Sequence, residues 1–360
     1  MARAAAAQGE LLARNLDATP RTFLYTTGSS GSPMCITRGR REERLWRAQG
    51  LRIWIEHGFH WHHKKVQFNQ QAGTQHFLQR LGMSRTRWIN PIVSFKDLRD
   101  RFLEAKADWI IATPTVLRHL ATAVTDAGGD FHPLRGIFCQ GELVDKQTKD
   151  LSRRVFGLMP VDVYTLSEFG YVAWQCERGE SLHVNADTHL VEVLGNGKAV
   201  SPGRLGRIVV TDLHNRAMPF FRYDTGDFAI AGNGTCGCER QFSCLQSIEG
   251  RQRNAVQLRD GCIITARSLV NHLAQVLPLG GYQLHQDTTN RFRLEVFSCA
   301  GQGGATDTYE PPSVGNSDII EKHLRALLGD VEISIQTART RCESGEKTYP
   351  VVVNFPAPIT

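Results

Sequence analysis

Strand-like and helix-like segments alternate between residues 108 and 164 of this 360-residue chain, and this alternation restricts the fold more than any other feature. Short apolar runs at Asp108–Ala112, Leu134–Cys139 and Val161–Tyr164 are typical of buried strands. Helices are expected between them, from Pro114 to about Ala127 and over Asp145–Phe156, and proline suits the first turn of a helix. Strands that alternate with helices of this length predict an α/β fold with a helix-covered, largely parallel sheet.

Two polar loops follow strands of this predicted sheet, Gln140–Glu142 and Thr165–Glu168. Ligands of open α/β sheets bind at the edge where the strands end, so these loops mark a candidate binding edge. A third loop, Thr26–Gly31, follows the strand-like run Thr22–Tyr25, and its glycines and hydroxyls suit a polyphosphate. It lacks the Gly-Lys-Ser/Thr ending of the usual nucleotide loop, and a plain turn is the alternative.

Beyond residue 168 the pattern changes to hairpins. Strand-like runs at Leu190–Leu194 and Arg207–Leu213 are connected by turn residues, and Phe221–Asp227 is expected to be a polar loop within this β-rich region. After Arg251 helical and strand-like segments mix over about a hundred residues, which is enough for a small α+β domain. We therefore predict a large N-terminal domain with a β-rich subdomain over residues 1–251, and a small mobile C-terminal domain over residues 252–360.

The composition excludes several classes of protein. With 41% apolar residues, the chain can bury a sizeable core. No apolar run approaches the ~20 residues of a membrane helix. Glu10 and Arg14 interrupt the N-terminal segment, so no secretory signal is expected. We expect a cytoplasmic protein without a membrane partner, in which the nine cysteines are free thiols or metal ligands.

The surplus of positive charge behind the net charge of +6 is concentrated in two stretches, Arg38–Arg41 and His62–Lys65. Such runs usually form solvated faces, and exposed side chains are expected in both. A basic surface also suits nucleotides or nucleic acid. The cysteine spacing does not fit a nucleic-acid finger, and the basic stretches lack regularly interleaved aromatic residues. A nucleic-acid partner is therefore not expected.

Four short motifs occur in an order that resembles the adenylate-forming enzymes, most closely the branch of phenylacetate–coenzyme A ligases and relatives of capsular-polysaccharide biosynthesis. They are Thr26–Pro33, Tyr164–Glu168, Tyr223–Asp227 and Gly250–Arg251. The resemblance implies ATP-dependent activation of a small carboxylic acid, with an aryl acid favoured, as an acyl-adenylate with release of pyrophosphate. The acyl group would then pass to coenzyme A, to the thiol of a carrier protein, or to an amine.

The resemblance also implies which residues bind phosphate and metal. Glu168 would hold Mg²⁺, a hard cation that takes oxygen ligands, and Ser167 beside it would contact the nucleotide. Lys347 would reach the substrate carboxylate and the α-phosphate, although a solvated loop lysine is the alternative at this position. The β- and γ-phosphates of ATP would be held by Thr26, Thr27, Gly28, Ser29, Ser30 and Gly31.

The adenosine part of the nucleotide is implied to lie between two of the polar loops. Tyr164 would lie against adenine, and Gly141 and Glu142 would form the other wall. Asp227 would accept hydrogen bonds from the ribose hydroxyls with the help of Arg251.

A group of cysteine and histidine residues adds a candidate metal site. Cys236 and Cys238 form a thiolate pair on a turn, and Cys176 and His183 flank a polar turn upstream. The corresponding positions appear in the phenylacetate-ligase branch, and a Cys₃His set suits a tetrahedral structural Zn²⁺. Cys244 is a possible substitute ligand, and reduced thiols with a surface histidine are the alternative.

The chain also departs from these relatives. They carry a substantial region ahead of the phosphate loop, whereas 25 residues precede Thr26 here. The interpretations are a compact variant or a partner that covers the gap, and a homodimer would supply such a partner. Thr165 stands where relatives often have glycine, and Gln252–Asn254 replaces acidic residues at the hinge. These departures leave a second hypothesis open, in which the chain is a degenerate homologue that binds nucleotide or a partner without catalysis.

Overall fold

The computed structural model describes residues 22–25, 34–70, 77–126, 128, 130–179, 181–234, 236–277, 282–298, 317–339 and 351–353. The strands are β1 (Thr22–Tyr25), β2 (Cys35–Arg38), β3 (Lys65–Phe68), β4 (Thr86–Ile89), β5 (Trp109–Ala112), β6 (Gly136–Gln140), β7 (Val161–Leu166), β8 (Gly170–Gln175), β9 (Leu182–Val184), β10 (His189–Gly195), β11 (Lys198–Ala199), β12 (Leu205–Asp212), β13 (Tyr223–Ala231), β14 (Cys244–Arg251), β15 (Val256–Gln257), β16 (Ile263–Ile264), β17 (Tyr282–Thr288), β18 (Arg291–Ser298), β19 (Glu332–Arg339) and β20 (Val351–Val353). The helices are α1 (Arg40–Glu56), α2 (Phe77–Arg80), α3 (Phe95–Ala105), α4 (Pro114–Thr125), α5 (Lys146–Phe156), α6 (Ala266–Leu273) and α7 (Ser317–Leu328), with a 3-10 turn at Gln252–Asn254.

A 12-stranded sheet in the order β11-β10-β12-β13-β14-β9-β8-β7-β6-β5-β3-β4 organises the larger part of the chain. From β4 to β7 neighbouring strands are parallel, and from β7 to β11 they are antiparallel. The predicted parallel sheet and the predicted β-rich region are thus two halves of one continuous sheet. The predicted fold class, a mixed α/β fold with a helix-covered sheet, is confirmed.

Capped helices connect strands of the parallel half. Helix α3 begins after Ser94, whose side chain accepts a hydrogen bond from the Asp97 amide at 3.1 Å. Helix α4 begins after Thr113 with proline at its first turn, as the sequence predicts. Leu98 and Phe102 of α3 are buried four residues apart and pack with the apolar strands in one core cluster. The same cluster contains Cys139 of β6 and Val144, which flank the first polar loop.

The chain after β14 builds a separate sheet of four strands in the order β19-β18-β17-β20. Helices α6 and α7 contribute to its core, where Leu269, Leu273 and Leu324 have no exposed surface. The division into two domains at residue 252 and the mobility of the second domain stay predictions. Among the described residues, none of the helices combines the length and apolar character that crossing a membrane requires.

Two expectations from the sequence are wrong. The segment expected to be a polar loop, Phe221–Asp227, lies largely within β13, because Tyr223 and Asp224 pair with β12 and Asp227 pairs with β14. The two basic stretches are not uniformly solvated, since Arg38, His63 and Lys65 are only 3%, 3% and 4% exposed. Arg38 ends β2 and Lys65 begins β3, so strand packing buries side chains that a charge count places on the surface.

Candidate functional site

The turn that joins β7 to β8 carries Ser167 and Glu168. Strand β7 runs parallel to β6, so this turn stands at the same sheet edge as Gln140 and Gly141, which end β6 and follow it. Ser167 is exposed and Glu168 is half-buried. The predicted binding edge therefore carries both polar loops.

Asp227 joins three of the four motifs into one hydrogen-bonded group. It lies in β13 directly opposite Arg251 of β14. The Tyr164 hydroxyl donates a hydrogen bond to its Oδ2 at 2.6 Å, and Arg251 Nε lies 3.0 Å from its Oδ1. Arg251 Nη1 also donates to the Thr225 carbonyl at 2.9 Å. A carboxylate, a phenol and a guanidinium, far apart in the sequence, therefore form one rigid group.

Burial sets the protonation of this group. Asp227 is 5% exposed, and burial raises the pKa of its carboxyl, against the opposing effects of the Arg251 charge and the Tyr164 hydrogen bond. Burial also raises the pKa of the Tyr164 phenol well above its ordinary value, and the Asp227 carboxylate raises it further. The phenol therefore keeps its proton and remains the donor.

The Glu168 side chain has its own partner. The hydroxyl of Tyr223, at the start of β13, donates to Glu168 Oε1 at 3.2 Å. The half-buried carboxylate has further lone pairs that a cation could use. An oxygen ligand of this kind fits Mg²⁺.

The loop after β6 is fixed by the helix that follows β5. Gly141 has a φ of +82°, a backbone conformation that favours glycine, and it is exposed. The Glu142 carboxylate accepts hydrogen bonds from the Thr115 amide at 3.1 Å and from its hydroxyl at 2.6 Å, at the first turn of α4. This carboxylate therefore holds the loop in place, and the roles predicted for Gly141 and Glu142 beside adenine stay predictions.

Two sets of predicted residues lie outside the described part of the chain. These are the phosphate loop Thr26–Gly31 and Lys347. Their roles stay predictions.

The cysteine and histidine residues of the candidate metal site converge. Ligand atoms of Cys176, His183, Cys236 and Cys238 all lie within 4.8 Å of one another. Cys176 Sγ is 3.6 Å from Cys236 Sγ, and Cys238 Sγ is 3.1 Å from His183 Nε2. Cys244 Sγ instead lies 3.3 Å from the other ring nitrogen, Nδ1 of His183. Cys244 thus faces the back of the histidine, and the four-atom set forms without it.

Two residues of the site were not predicted from the sequence. Arg38 donates through Nη2 to the carbonyl oxygen of Ser167, and Tyr223 donates to Glu168. Tyr223 belongs to one of the four motifs, but its residue type gave no sign of a contact with Glu168. Arg38 lies in a basic run that is typical of a solvated face.

Comparison with known sequences gives a short match. No protein-family model matches the chain. The phenylacetate–coenzyme A ligase of Thermus thermophilus is 32% identical over 108 residues, which make up 29% of this chain and 24% of that protein. The chain therefore covers about a quarter of the curated relative that it matches.

Solved structures match over most of the chain. A 2-hydroxyisobutyryl-CoA ligase in its postadenylation state, in complex with an acyl-adenylate, has a TM-score of 0.70 at 18% identity, covering 92% of this chain and 73% of that one. The chain has the adenylate-forming ligase fold. An anthranilate CoA ligase in complex with anthranoyl-AMP has a TM-score of 0.67 at 14% identity, covering 90% of this chain and 64% of that one.

The structure of a third ligase also matches the chain. The o-succinylbenzoate coenzyme A synthetase of Bacillus subtilis, in complex with ATP and a magnesium ion, has a TM-score of 0.61 at 13% identity, covering 88% of this chain and 66% of that one. The predicted resemblance to the adenylate-forming enzymes is confirmed, and the sequence match is to a phenylacetate–coenzyme A ligase. At these identities the solved structures establish the fold of the chain and not its substrate.

Proposed function

We propose that this chain uses ATP to activate a small carboxylic acid as an acyl-adenylate, releases pyrophosphate, and transfers the acyl group to the thiol of coenzyme A. The observation that carries the proposal is the hydrogen-bonded group formed by Tyr164, Asp227 and Arg251 within an adenylate-forming ligase fold. An aryl acid is the substrate class we favour. A carrier-protein thiol and an amine are the alternative acceptors. A homodimer and a cytoplasmic location are further predictions.

The proposed nucleotide contacts use lone pairs that the internal hydrogen bonds leave over. Each oxygen of the Asp227 carboxylate accepts more than one hydrogen bond, so Asp227 can bind the ribose hydroxyls while Tyr164 and Arg251 hold it. The aromatic ring of Tyr164 would lie against adenine, opposite Gly141 and Glu142. Ser167 would contact the nucleotide from the turn after β7.

The Glu168 carboxylate would bind Mg²⁺ at the same edge. When bound, this ion supplies positive charge that offsets the charge on the phosphate oxygens. Glu168 supplies an oxygen ligand on a turn that is packed against the rest of the site. Thr26–Gly31 and Lys347 would complete the phosphate and carboxylate contacts.

The proposed reaction has two steps. In the first, a carboxylate oxygen of the acid attacks the α-phosphorus of ATP, and the bond between that phosphorus and the pyrophosphate oxygen breaks. In the second, the thiol sulfur attacks the acyl carbon, the thiol loses its proton, and the carbon–oxygen bond to AMP breaks. Asp227 and Tyr164 would keep the nucleotide in place through both steps, because the reacting atoms must stay aligned.

We further propose that Cys176, His183, Cys236 and Cys238 bind a structural Zn²⁺. With a zinc–sulfur distance of about 2.3 Å, a tetrahedral site separates its ligand atoms by roughly 3.5–3.8 Å. The separation of 3.6 Å between Cys176 Sγ and Cys236 Sγ lies within this range, and the separation of 3.1 Å between Cys238 Sγ and His183 Nε2 is shorter. The ion would join the hairpin of β8 and β9 to the segment before β14.

The test is ATP–pyrophosphate exchange with a panel of aromatic and aliphatic acids. We expect exchange that requires one class of acid and that is lost in Glu168→Ala and Asp227→Ala. As a matched control, Asp187→Ala removes an exposed carboxylate that pairs with Arg52, and exchange should persist. Nucleotide binding without exchange for any acid would favour the degenerate homologue instead.

A further inference from the structure

Arg38 contacts the backbone of the turn that carries Glu168. It is the last residue of β2 and is 3% exposed. Its Nη2 donates to the carbonyl oxygen of Ser167, and its guanidinium lies 4.7 Å from the centroid of the Trp46 ring. Because Ser167 directly precedes Glu168, this hydrogen bond fixes the backbone from which the carboxylate projects. Arg38 Nη1 has no hydrogen-bond partner among the described residues, so the contact of the guanidinium with this turn is made through Nη2.

Tyr223 contacts the side chain of Glu168 itself. Its hydroxyl donates to Oε1 at 3.2 Å, and its ring packs against Phe169 and Phe220 with centroids 5.7 Å and 5.2 Å away. The packed ring therefore holds the hydroxyl beside Oε1.

The turn itself leaves little space for adjustment. A Cβ atom on Gly170 would lie 1.7 Å from Trp46 Cδ1, so the indole of α1 packs directly on the backbone of the turn. The carbonyl oxygen of Phe169 lies 3.2 Å from His189 Nε2. Glu168 is thus on a turn that is held at residues on both sides of it.

We propose that Arg38 and Tyr223 are positioning residues that hold Glu168 in the orientation that binds the Mg²⁺ of Mg²⁺–ATP, an inference that rests on the proposed function. Neither residue acts on the substrate. A carboxylate that is already oriented loses less rotamer freedom when it binds the ion, so the support increases the affinity for the metal-bound nucleotide. Binding of ATP without metal does not use this orientation.

The experiment measures the dissociation constant of ATP for the full chain by calorimetry, with Mg²⁺ and with a chelator. The ratio of the two constants gives the gain in affinity that depends on metal. We expect Tyr223→Phe, which removes one oxygen atom, to reduce this gain about tenfold and to leave binding without metal unchanged. Arg38→Lys should act in the same direction, because an ammonium cannot reproduce the planar fork of the guanidinium.

Two variants serve as matched controls. Tyr282→Phe removes the hydroxyl of a buried tyrosine in the small four-stranded sheet. Arg222→Lys changes the residue before Tyr223, and the side chain of Arg222 pairs with Glu192. Both should keep the native gain. Where Arg38→Lys does not fold, as judged by circular dichroism, Tyr223→Phe alone decides.

Glu168→Gln tests whether Glu168 binds Mg²⁺, separately from whether Arg38 and Tyr223 position it. If this variant loses the gain while Tyr223→Phe and Arg38→Lys keep it, the positioning role is overturned and the proposed metal ligand stands. If Glu168→Gln keeps the native gain, both are overturned. A loss in all three variants, with both controls native, supports the inference.

Discussion

Lys65 offers a test of how far burial controls charge in this fold. It begins β3 and is 4% exposed, and its Nζ lies 3.6 Å from the centroid of the Trp54 ring. Among the described residues no carboxylate lies within ion-pair distance of it, and it donates to Ser84 Oγ at 3.1 Å. Burial lowers the pKa of Lys65 from 10.5 to about 7. The perturbation is Lys65→Met, which keeps an unbranched side chain of four heavy atoms and removes the amine.

Proton linkage fixes the direction in which the free energy of unfolding changes with pH. Between pH 7 and pH 10.5 the unfolded chain holds the Lys65 proton and the folded chain does not, so the free energy of unfolding rises with pH in this window. The full shift corresponds to about 5 kcal/mol, and the contact with the Trp54 ring favours the charged amine by at most about 2 kcal/mol. Desolvation is therefore the larger effect. Between about pH 6 and about pH 9 the native protein should gain roughly 1–3 kcal/mol relative to Lys65→Met.

The assay is urea unfolding of the native chain and of Lys65→Met at both pH values. Lys96→Met, on the exposed surface of α3, controls for the loss of a solvated lysine. A native-minus-variant difference that does not change with pH would mean that the amine stays charged in the folded protein. A difference that changes in the opposite direction would also refute the reasoning.

Three further predictions concern the metal group, the nucleotide group and the turn. Cys238→Ser should reduce the zinc content from about one ion per chain to a trace by elemental analysis. Cys244→Ser changes a residue behind His183, and this variant should bind zinc about 10–100-fold more weakly than the native chain. Equal zinc content in the two variants would contradict the assignment. Asp227→Asn should weaken ATP binding about tenfold by calorimetry, since charged hydrogen bonds to ribose are lost, and unchanged affinity would argue against the ribose contact. Gly170→Ala should lower the free energy of unfolding by about 3 kcal/mol, because a methyl group would overlap Trp46, whereas Gly203→Ala, with the same sign of φ and open space, should lower it by about 1 kcal/mol. Equal effects in urea unfolding would show that only backbone strain matters.

The parallel half of the fold could be predicted because the local sequence of each strand and helix indicates its structure. The strands β5, β6 and β7 are short apolar runs, and α4 and α5 between them begin at recognisable caps. The antiparallel half could not be ordered in the same way. Strand β14 inserts between β9 and β13, and such pairing depends on contacts between residues far apart in the sequence.

The same distinction holds for the site. Tyr164, Glu168 and Asp227 stand in short motifs, so the sequence could point to them before the structure brought Tyr164 and Asp227 together. Arg38 could not be identified, because its contact with Ser167 joins residues 129 positions apart and a basic run gives no sign of which arginine is buried. Strand packing determines which charged residue of the run is buried, and the local sequence pattern does not describe that packing.

The central claim is that the carboxylate of an acid attacks the α-phosphorus of ATP. The most direct measurement supplies the chain with Mg²⁺–ATP, coenzyme A and an acid labelled with oxygen-18 in its carboxylate, and analyses the AMP by mass spectrometry. The account predicts AMP that carries one labelled oxygen, because the bond between the acyl carbon and that oxygen breaks in the transfer step. Products consisting of ADP and phosphate, or AMP without label, would contradict it.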